Sequence, residues 1–407
     1  MKVLLTGTAG PGGWPEKGCR CASCGRVTTP RRPFSVVIDD NIPLTHHDLT
    51  RTPDGDSVIA PDGDRLLFAN GDRANTDQPN AHRANTSQAN GHRADGDRAN
   101  DDGANAANDH GSNAPGTKGP HGRDVLDRTN APGAERPHLS QGRDGLDRTD
   151  ASGAEPYDIV LIDLLERPDH LGDLRRRGLV DEATQIVAVG LDHRAPSEAE
   201  LERRLRFWGA ITVPDGTVLD TKAPPDRVRP RTLPRRTLLL GGSRSGKSAE
   251  AELRLAAEPE VTYVATASPG HDDPEWQARL KAHQARRPAH WRTLETTDLA
   301  HLLTTETGVL LIDGLGTWLT ATIDAHNAWP PASPEPVHTE CANLLQAWRQ
   351  TTAHIVAVTE EVGQGIVPPT PSGRLFRDLL GTLNQHLTTE SEESALITAG
   401  RITPLPT

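Results

Sequence analysis

Apolar runs punctuate the start of the chain, vanish through its middle, and return in a regular beat toward the end. KVLLTG at 2–7 and FSVVIDD at 34–40 predict short strands. After the gap, YDIVLIDLL at 157–165 and QIVAVGLD at 185–192 predict two more, with a polar helix around His170–Gly178 and a second helix over Ser197–Gly209. From Arg235 onward RTLLLGG, VTYVATA, GVLLIDG and HIVAVTEEVG predict apolar strands, separated by helices over 249–258, 274–287 and 337–352. Strands alternating with helices predict an α/β fold with a parallel sheet covered on both faces.

The gap carries its own pattern. Between Ala69 and Glu155 the large apolar residues are only Val125, Leu126, Leu139 and Leu146, too few to build a core. The segment repeats itself: GRDVLDRTNAPGAE at 122–135 returns at 142–155 with 11 of 14 positions identical. Stacked repeats need apolar positions in every unit, which excludes a solenoid and predicts a disordered, low-complexity insertion over 69–155. Residues 1–68 plus 156–221 then form one small α/β domain interrupted by that insertion. The Pro-rich stretch 222–234 reads as a hinge, and 235–407 as the catalytic candidate.

Composition narrows the classes. The 407 residues carry 44 basic against 56 acidic side chains, and this net charge of −12 excludes a protein dedicated to coating nucleic acid. No apolar run approaches the roughly 18 residues that cross a bilayer, which predicts a soluble, cytoplasmic protein without a membrane span. Four cysteines do not make a disulfide framework for a chain this long; Cys19, Cys21 and Cys24 crowd together as metal ligands do.

Gly241, Gly242, Ser243, Arg244, Ser245, Gly246, Lys247 and Ser248 spell GxxxxGKS between a predicted strand and a predicted helix, the context a phosphate loop requires. The glycines let backbone N–H groups face phosphate oxygens, and Lys247 reaches the β and γ phosphates. Ser248 can hold Mg²⁺, with Asp313 at the end of VLLID as the second acidic metal ligand, although a strand-end Asp is also common in parallel sheets.

Five ordered segments carry a more specific likeness: RTLLLGGSRSGKSAEAE, VTYVATA, ARLKAHQARRPAHWRTLE, VTEEVGQGIVP and GRLFRDLLGTLNQHL. Over 236–402 the chain resembles the bifunctional adenosylcobinamide kinase / adenosylcobinamide-phosphate guanylyltransferase family. The resemblance implies a P-loop NTPase with a mostly parallel, RecA-like sheet. It implies phosphorylation of adenosylcobinamide, then transfer of GMP from GTP to the resulting phosphate through a histidine, with GTP and ATP as substrates.

By motif position that histidine is His283, with His290 and His271 as its nearest rivals. Neutral imidazole is a competent nucleophile near neutral pH, and Arg286 or Arg287 shares its helical face, with Pro288 following. The resemblance places Glu295 near guanine, where a carboxylate can accept two N–H groups that adenine does not offer together. Thr266, Ala267 and Ser268 match a nucleotide-contacting segment. Glu361, Gly363, Gly365 and Pro368 form a strand-to-loop turn, and Arg374, Arg377 and Asn384 fall on the next helix, motifs that suit subunit contacts in a homo-oligomer as well as chemistry. Glu360 departs from the pattern, which expects Asn.

The opening LLTGTAGPGGWPEKGCRCASC resembles metallo-β-lactamase-fold proteins of the phosphodiesterase type, in which C-x-C-x-x-C can hold a structural Zn²⁺. A fourth ligand is needed, with His46 and His47 as candidates. The paired-metal H-x-H-x-D-H signature is absent, and its expected segment keeps only Asp169 and His170, so the resemblance is to a shortened, degenerate and non-hydrolytic relative. Two other readings compete with the bifunctional enzyme: a P-loop small-molecule kinase without guanylyl transfer, and a nucleotide switch on a scaffold.

Overall fold

The computed structural model describes residues 1–39, 42–43, 49–69, 155–223, 234–266 and 287–406. The expected insertion, most of the hinge and the predicted helix at 274–287 lie almost wholly outside these residues.

The N-terminal half runs β1 (Lys2–Gly7), β2 (Ser35–Ile38), β3 (Ile42–Pro43), β4 (Thr50–Thr52), β5 (Gly55–Ile59), β6 (Arg65–Ala69), β7 (Ile159–Ile162), α1 (Pro168–Arg176), β8 (Gln185–Ala188), α2 (Glu198–Trp208) and β9 (Thr217–Asp220). These strands make two sheets, an antiparallel one in the order β3-β2-β1-β9 and a mixed one in the order β4-β5-β6-β7-β8. Val3, Leu5, Val36 and Ile38 of the first share a core with Leu66, Ile159, Leu161 and Val187 of the second. Alternate residues Leu67, Val160, Ile162 and Ala188 instead pack with Leu171 and Leu174 of α1 and Leu201, Leu205 and Trp208 of α2. Hence β7 is buried on both faces and reads as an unbroken apolar run. Ser197 caps α2 by accepting from the Glu200 amide, and Gly209 ends it at φ 61°.

β6 and β7 pair in parallel, Leu66 opposite Ile159. Residues 70–158 are therefore a crossover from the end of one strand to the start of its neighbour, not a hairpin loop.

The C-terminal half runs β10 (Arg236–Gly241), α3 (Lys247–Leu255), β11 (Thr262–Ala265), β12 (Arg292–Glu295), α4 (Leu299–Thr305), β13 (Val309–Asp313), α5 (Leu315–Ala325), α6 (Glu335–Gln350), β14 (His354–Glu360), α7 (Pro371–Thr389), β15 (Glu393–Thr398) and β16 (Arg401–Leu405). One sheet holds its seven strands in the order β12-β11-β13-β14-β10-β15-β16, parallel except for β16. Leu238, Leu240, Leu310, Ile312, Ile355 and Ala357 share a core with α4 to α7, while Leu239, Leu311, Val356 and Val358 pack with Ala251 and Leu255 of α3. This is the two-face covering that the apolar strands predict. The periodicity does not announce α5, because Leu315, Gly316, Trp318, Leu319, Ala321, Thr322 and Ile323 bury nearly its whole circumference.

The two halves meet helix to helix. Trp208 of α2 donates its indole N–H to the Leu253 carbonyl of α3 at 2.8 Å, and Arg175 of α1 donates to the Ala257 carbonyl at 2.8 Å and the Trp208 carbonyl at 2.7 Å. The stretch read as a hinge thus joins halves that are packed together.

Candidate active site

Every parallel strand of the C-terminal sheet points its carboxyl end to one edge, where an open α/β sheet binds ligands. Residues 242–246 turn from β10 into α3 there. Gly246 takes φ 99°, and a Cβ on Gly241 would meet Ser245 Oγ at 2.5 Å and the Ile397 carbonyl at 2.6 Å, so both positions require glycine. Ser245 donates from its amide to the Gly242 carbonyl at 3.2 Å and accepts the Gly400 amide at 2.8 Å, which ties the loop to the turn between β15 and β16.

Lys247 is buried at 9% exposure, its Nζ 3.3 Å from the Gly242 carbonyl and 3.7 Å from Glu360 Oε1. Ser248 donates to Asp313 Oδ1 at 3.1 Å, and the Tyr263 hydroxyl donates to Asp313 Oδ2 at 2.6 Å. Burial and the adjacent Asp313 carboxylate push the Tyr263 phenol above its ordinary pKa, keeping it a neutral donor. The Arg287 guanidinium lies over the Tyr263 ring at 3.1 Å from its centroid. Its buried Nε and Nη2 have no hydrogen-bond partner among the described residues. A half-buried guanidinium with two donors unused among the described residues, beside a phosphate loop, is suited to an anionic ligand.

The structure brings together Lys247, Ser248, Asp313 and Arg287 of the predicted site, and adds Tyr263 and Glu360. Thr266 instead donates its hydroxyl to the Gly314 carbonyl at 2.7 Å, pinning two strand ends. Glu295 is exposed at the end of the edge strand β12, four strands from β10, about 19 Å along the sheet. Pro288 accepts the Trp291 amide at 3.1 Å, and His290 faces the Glu258 carbonyl at 3.1 Å. His283, His271, Ala267, Ser268 and Arg286 lie outside the described residues. Tyr263 carried no motif signal, because an aromatic in a buried strand reads as core.

A second constellation lies in the N-terminal half. One ligand atom each from Cys19, Cys21, Cys24 and His193 fall within 4.8 Å of one another, the one such grouping among the described residues. Trp14 donates to Ser23 Oγ at 3.3 Å and Ser23 donates to the Ala195 carbonyl, so the cysteine loop is laced to the turn bearing His193. The backbone amide of Cys24 holds the Cys21 thiol below its usual pKa, whereas burial pushes Cys24 up to about 11. His46 and His47 lie outside the described residues. No spacing rule could connect His193 to cysteines so far away in sequence.

Among the described residues, Asp169 and His170 do not join a metal-ligand group of this kind. Asp169 lies 3.3 Å from Arg167 Nη2, and His170 Nε2 is 3.6 Å from Asp54 Oδ1. Near the ends of β7 and β8, Arg194 pairs with Asp163 and Asp192, each at 2.8 Å, and with Glu166 at 3.4 Å.

Among known proteins, the family described as Cobinamide kinase / cobinamide phosphate guanyltransferase matches residues 237–405. The Bifunctional adenosylcobalamin biosynthesis protein CobU of Escherichia coli is 34% identical over 174 residues, covering 40% of this chain and 95% of the relative. The protein of the same name in Salmonella typhimurium is 36% identical over the same shares. The Bifunctional adenosylcobalamin biosynthesis protein CobP of Pseudomonas aeruginosa is 40% identical over 176 residues, 42% of this chain and 96% of the relative.

Proposed function

The chain belongs to the cobinamide kinase / cobinamide phosphate guanyltransferase family, and from that premise we propose that residues 235–407 are a bifunctional enzyme of cobalamin biosynthesis. It phosphorylates adenosylcobinamide with ATP or GTP and transfers GMP from GTP to the product, giving adenosylcobinamide-GDP. The observation that carries this reading is the 3.1 Å pairing of Ser248 with Asp313 beside Lys247 at the carboxyl edge of the sheet.

On nucleotide binding, Lys247 exchanges the Gly242 carbonyl and Glu360 for the β and γ phosphate oxygens. The amides of 242–247 and the positive end of the α3 dipole add to its charge. Two hard oxygen donors, Ser248 Oγ and Asp313 Oδ1, suit Mg²⁺, which would neutralise phosphate charge when bound. Arg287 turns its unused N–H groups to the nucleotide. In the second reaction His283 attacks the α phosphorus of GTP, pyrophosphate leaves, and the corrinoid phosphate then displaces the histidine. In this reading Glu295 reads guanine, and Thr266, Ala267, Ser268, Arg286 and Pro288 are the remaining nucleotide contacts that the family motifs imply.

The test is transfer of label from γ-labelled ATP or GTP to adenosylcobinamide. Lys247→Ala should cut transfer by orders of magnitude, because charge neutralisation is the main contribution a protein makes to phosphoryl transfer. Turnover like that of the wild type in this variant contradicts the assignment.

The N-terminal half we read as a shortened metallo-β-lactamase-like domain whose role is structural. Two stacked sheets with helices on one side, and an acidic edge whose Asp163 and Asp192 are both engaged by Arg194, support this reading. Three thiolates and one imidazole within 4.8 Å fit tetrahedral Zn²⁺, so Cys19, Cys21, Cys24 and His193 would hold a structural ion that ties the cysteine loop to the start of α2. Among the described residues no helix is long and apolar enough to cross a membrane. Ile366, 97% exposed beside the exposed Val367, supports assembly of the C-terminal domain into a homo-oligomer, to be checked by light scattering.

A further inference from the structure

We propose that Glu360 is the general base of the phosphorylation step, taking the proton from the corrinoid hydroxyl as it attacks the terminal phosphate. This rests on the kinase reading above.

Glu360 ends β14 and stands in register with Gly241, the last residue of the phosphate-loop strand. On its other side β14 pairs with β13, where Asp313 stands opposite Val358, so Glu360 reaches two residues further over the edge than the carboxylate paired with Ser248. One oxygen lies 3.7 Å from Lys247 Nζ, and the other accepts the Gly316 amide at 3.1 Å in the first turn of α5. A Cβ on Gly316 would collide with that second oxygen. Behind it, the Glu360 carbonyl accepts from Asn384 Nδ2 at 3.0 Å, and Asn384 Oδ1 accepts the Thr359 hydroxyl at 2.7 Å, with Asn384 itself only 4% exposed. The carboxylate is thus held from two sides and still has a third of its side chain open.

The other carboxylates near this edge are engaged otherwise. Asp313 is paired with Ser248 and Tyr263, Glu250 with Arg203 and Arg254, and Glu361 with the Gly363 amide at 2.7 Å, while Glu295 is four strands from the phosphate loop. A negative charge beside the lysine that must receive a triphosphate opposes nucleotide binding. Proton removal gives it a use there. When Lys247 turns to the phosphates, Glu360 is left at the mouth of the γ-phosphate position with a free oxygen.

In the step itself the hydroxyl oxygen bonds to the γ phosphorus and the bond from that phosphorus to the β–γ bridging oxygen breaks. The nucleoside diphosphate leaves with the bonding pair. The hydroxyl proton passes to Glu360, which releases it to solvent.

The test follows single-turnover phosphorylation of adenosylcobinamide by γ-labelled ATP across about pH 5 to 9 in the wild type, E360Q and E361Q, with affinity for a non-hydrolysable ATP analogue measured alongside. Glutamine still accepts the Gly316 amide, so E360Q should bind the analogue as well as the wild type or more tightly. It should transfer phosphate at least about tenfold more slowly, since positioned bases contribute about 10²–10⁴ and loose phosphoryl transfer draws on the low end. Rates for E360Q within about threefold of the wild type at every pH overturn the proposal, as does the same loss in E361Q alone. Failure of the wild type to phosphorylate adenosylcobinamide overturns the kinase reading itself and the base with it.

Discussion

Arg203 of the N-terminal half grips Glu250 of the phosphate-loop helix with two nitrogens, Nη1 2.8 Å from Oε1 and Nη2 3.1 Å from Oε2. Glu250 is 8% exposed and lies on the first turn of α3, which begins at Lys247. Arg254, 2.7 Å from both Glu250 and Glu393, packs over the Phe207 ring at 4.8 Å. The N-terminal half therefore covers one side of the helix that begins at Lys247.

Removing Arg203 takes two charge-assisted hydrogen bonds from Glu250 and leaves it Arg254 alone among the described residues. Arg203→Ala should lower unfolding free energy by about 1–2 kcal/mol and raise the nucleotide KM by loosening the start of α3. Denaturant titration and steady-state kinetics measure both. Unchanged stability would show that the halves act independently.

The crossover between β6 and β7 sets a condition on shortening the chain. Replacing residues 70–154 by about ten flexible residues should preserve stability and both activities, because halving a loop changes closure entropy by only about 0.6 kcal/mol and the crossover still has length to span one strand. Directly fusing residue 69 to 155 should fail, since the remaining residues cannot return along the strand. Thermal melts of the two variants check this, and a large loss with the ten-residue linker would show that the removed segment is part of the fold.

Asp54 supplies a pH signature. Burial by itself would raise its pKa, but hydrogen bonds from His170 and Arg177 outweigh it and hold the carboxyl at about 2, below its ordinary 3.8. A folded-state pKa below the unfolded one gives stability that is fully present above about pH 4 and lost as pH falls toward 2. Asp54→Asn should therefore cost about 2 kcal/mol near pH 6, with the difference from the wild type shrinking between about pH 4 and 2. Urea titrations at several pH values read this directly, and a difference constant down to the acid end would contradict it.

Sequence and structure agree best where chemistry is local. GxxxxGKS is contiguous, so the phosphate loop and its strand–turn–helix setting could be read from the chain alone. The apolar strands of the C-terminal sheet were legible for the same reason, being buried on both faces. His193 was not, because only the folding of the chain brings it to Cys19, Cys21 and Cys24. The Arg203–Glu250 contact was equally hidden, since an amphipathic helix shows which face is covered but not by what. The parallel pairing of β6 with β7 was hidden too, because a strand's apolar pattern does not say in which direction its neighbour runs.

For the cysteine–histidine cluster, protein purified without chelator should carry about one zinc per chain, and His193→Ala and Cys24→Ser should lose most of it. Stripping the metal should lower Tm by several degrees, since it frees the cysteine loop from the start of α2. Elemental analysis of the three proteins is the check. Zinc retained at full level in His193→Ala would remove the histidine from the ligand set.

The central claim is that a single domain both phosphorylates a corrinoid and carries GMP on a histidine. Its most direct test is incubation of the wild type and His283→Ala with α-labelled GTP, followed by denaturing electrophoresis. The wild type should take up a label that is lost in acid and persists in alkali, as a phosphorus–nitrogen bond to imidazole requires. His283→Ala should take up none, yet still phosphorylate adenosylcobinamide, because in-line attack by the substrate hydroxyl needs no enzyme nucleophile. Full labelling of His283→Ala, or no labelling of an active wild type, would contradict the account.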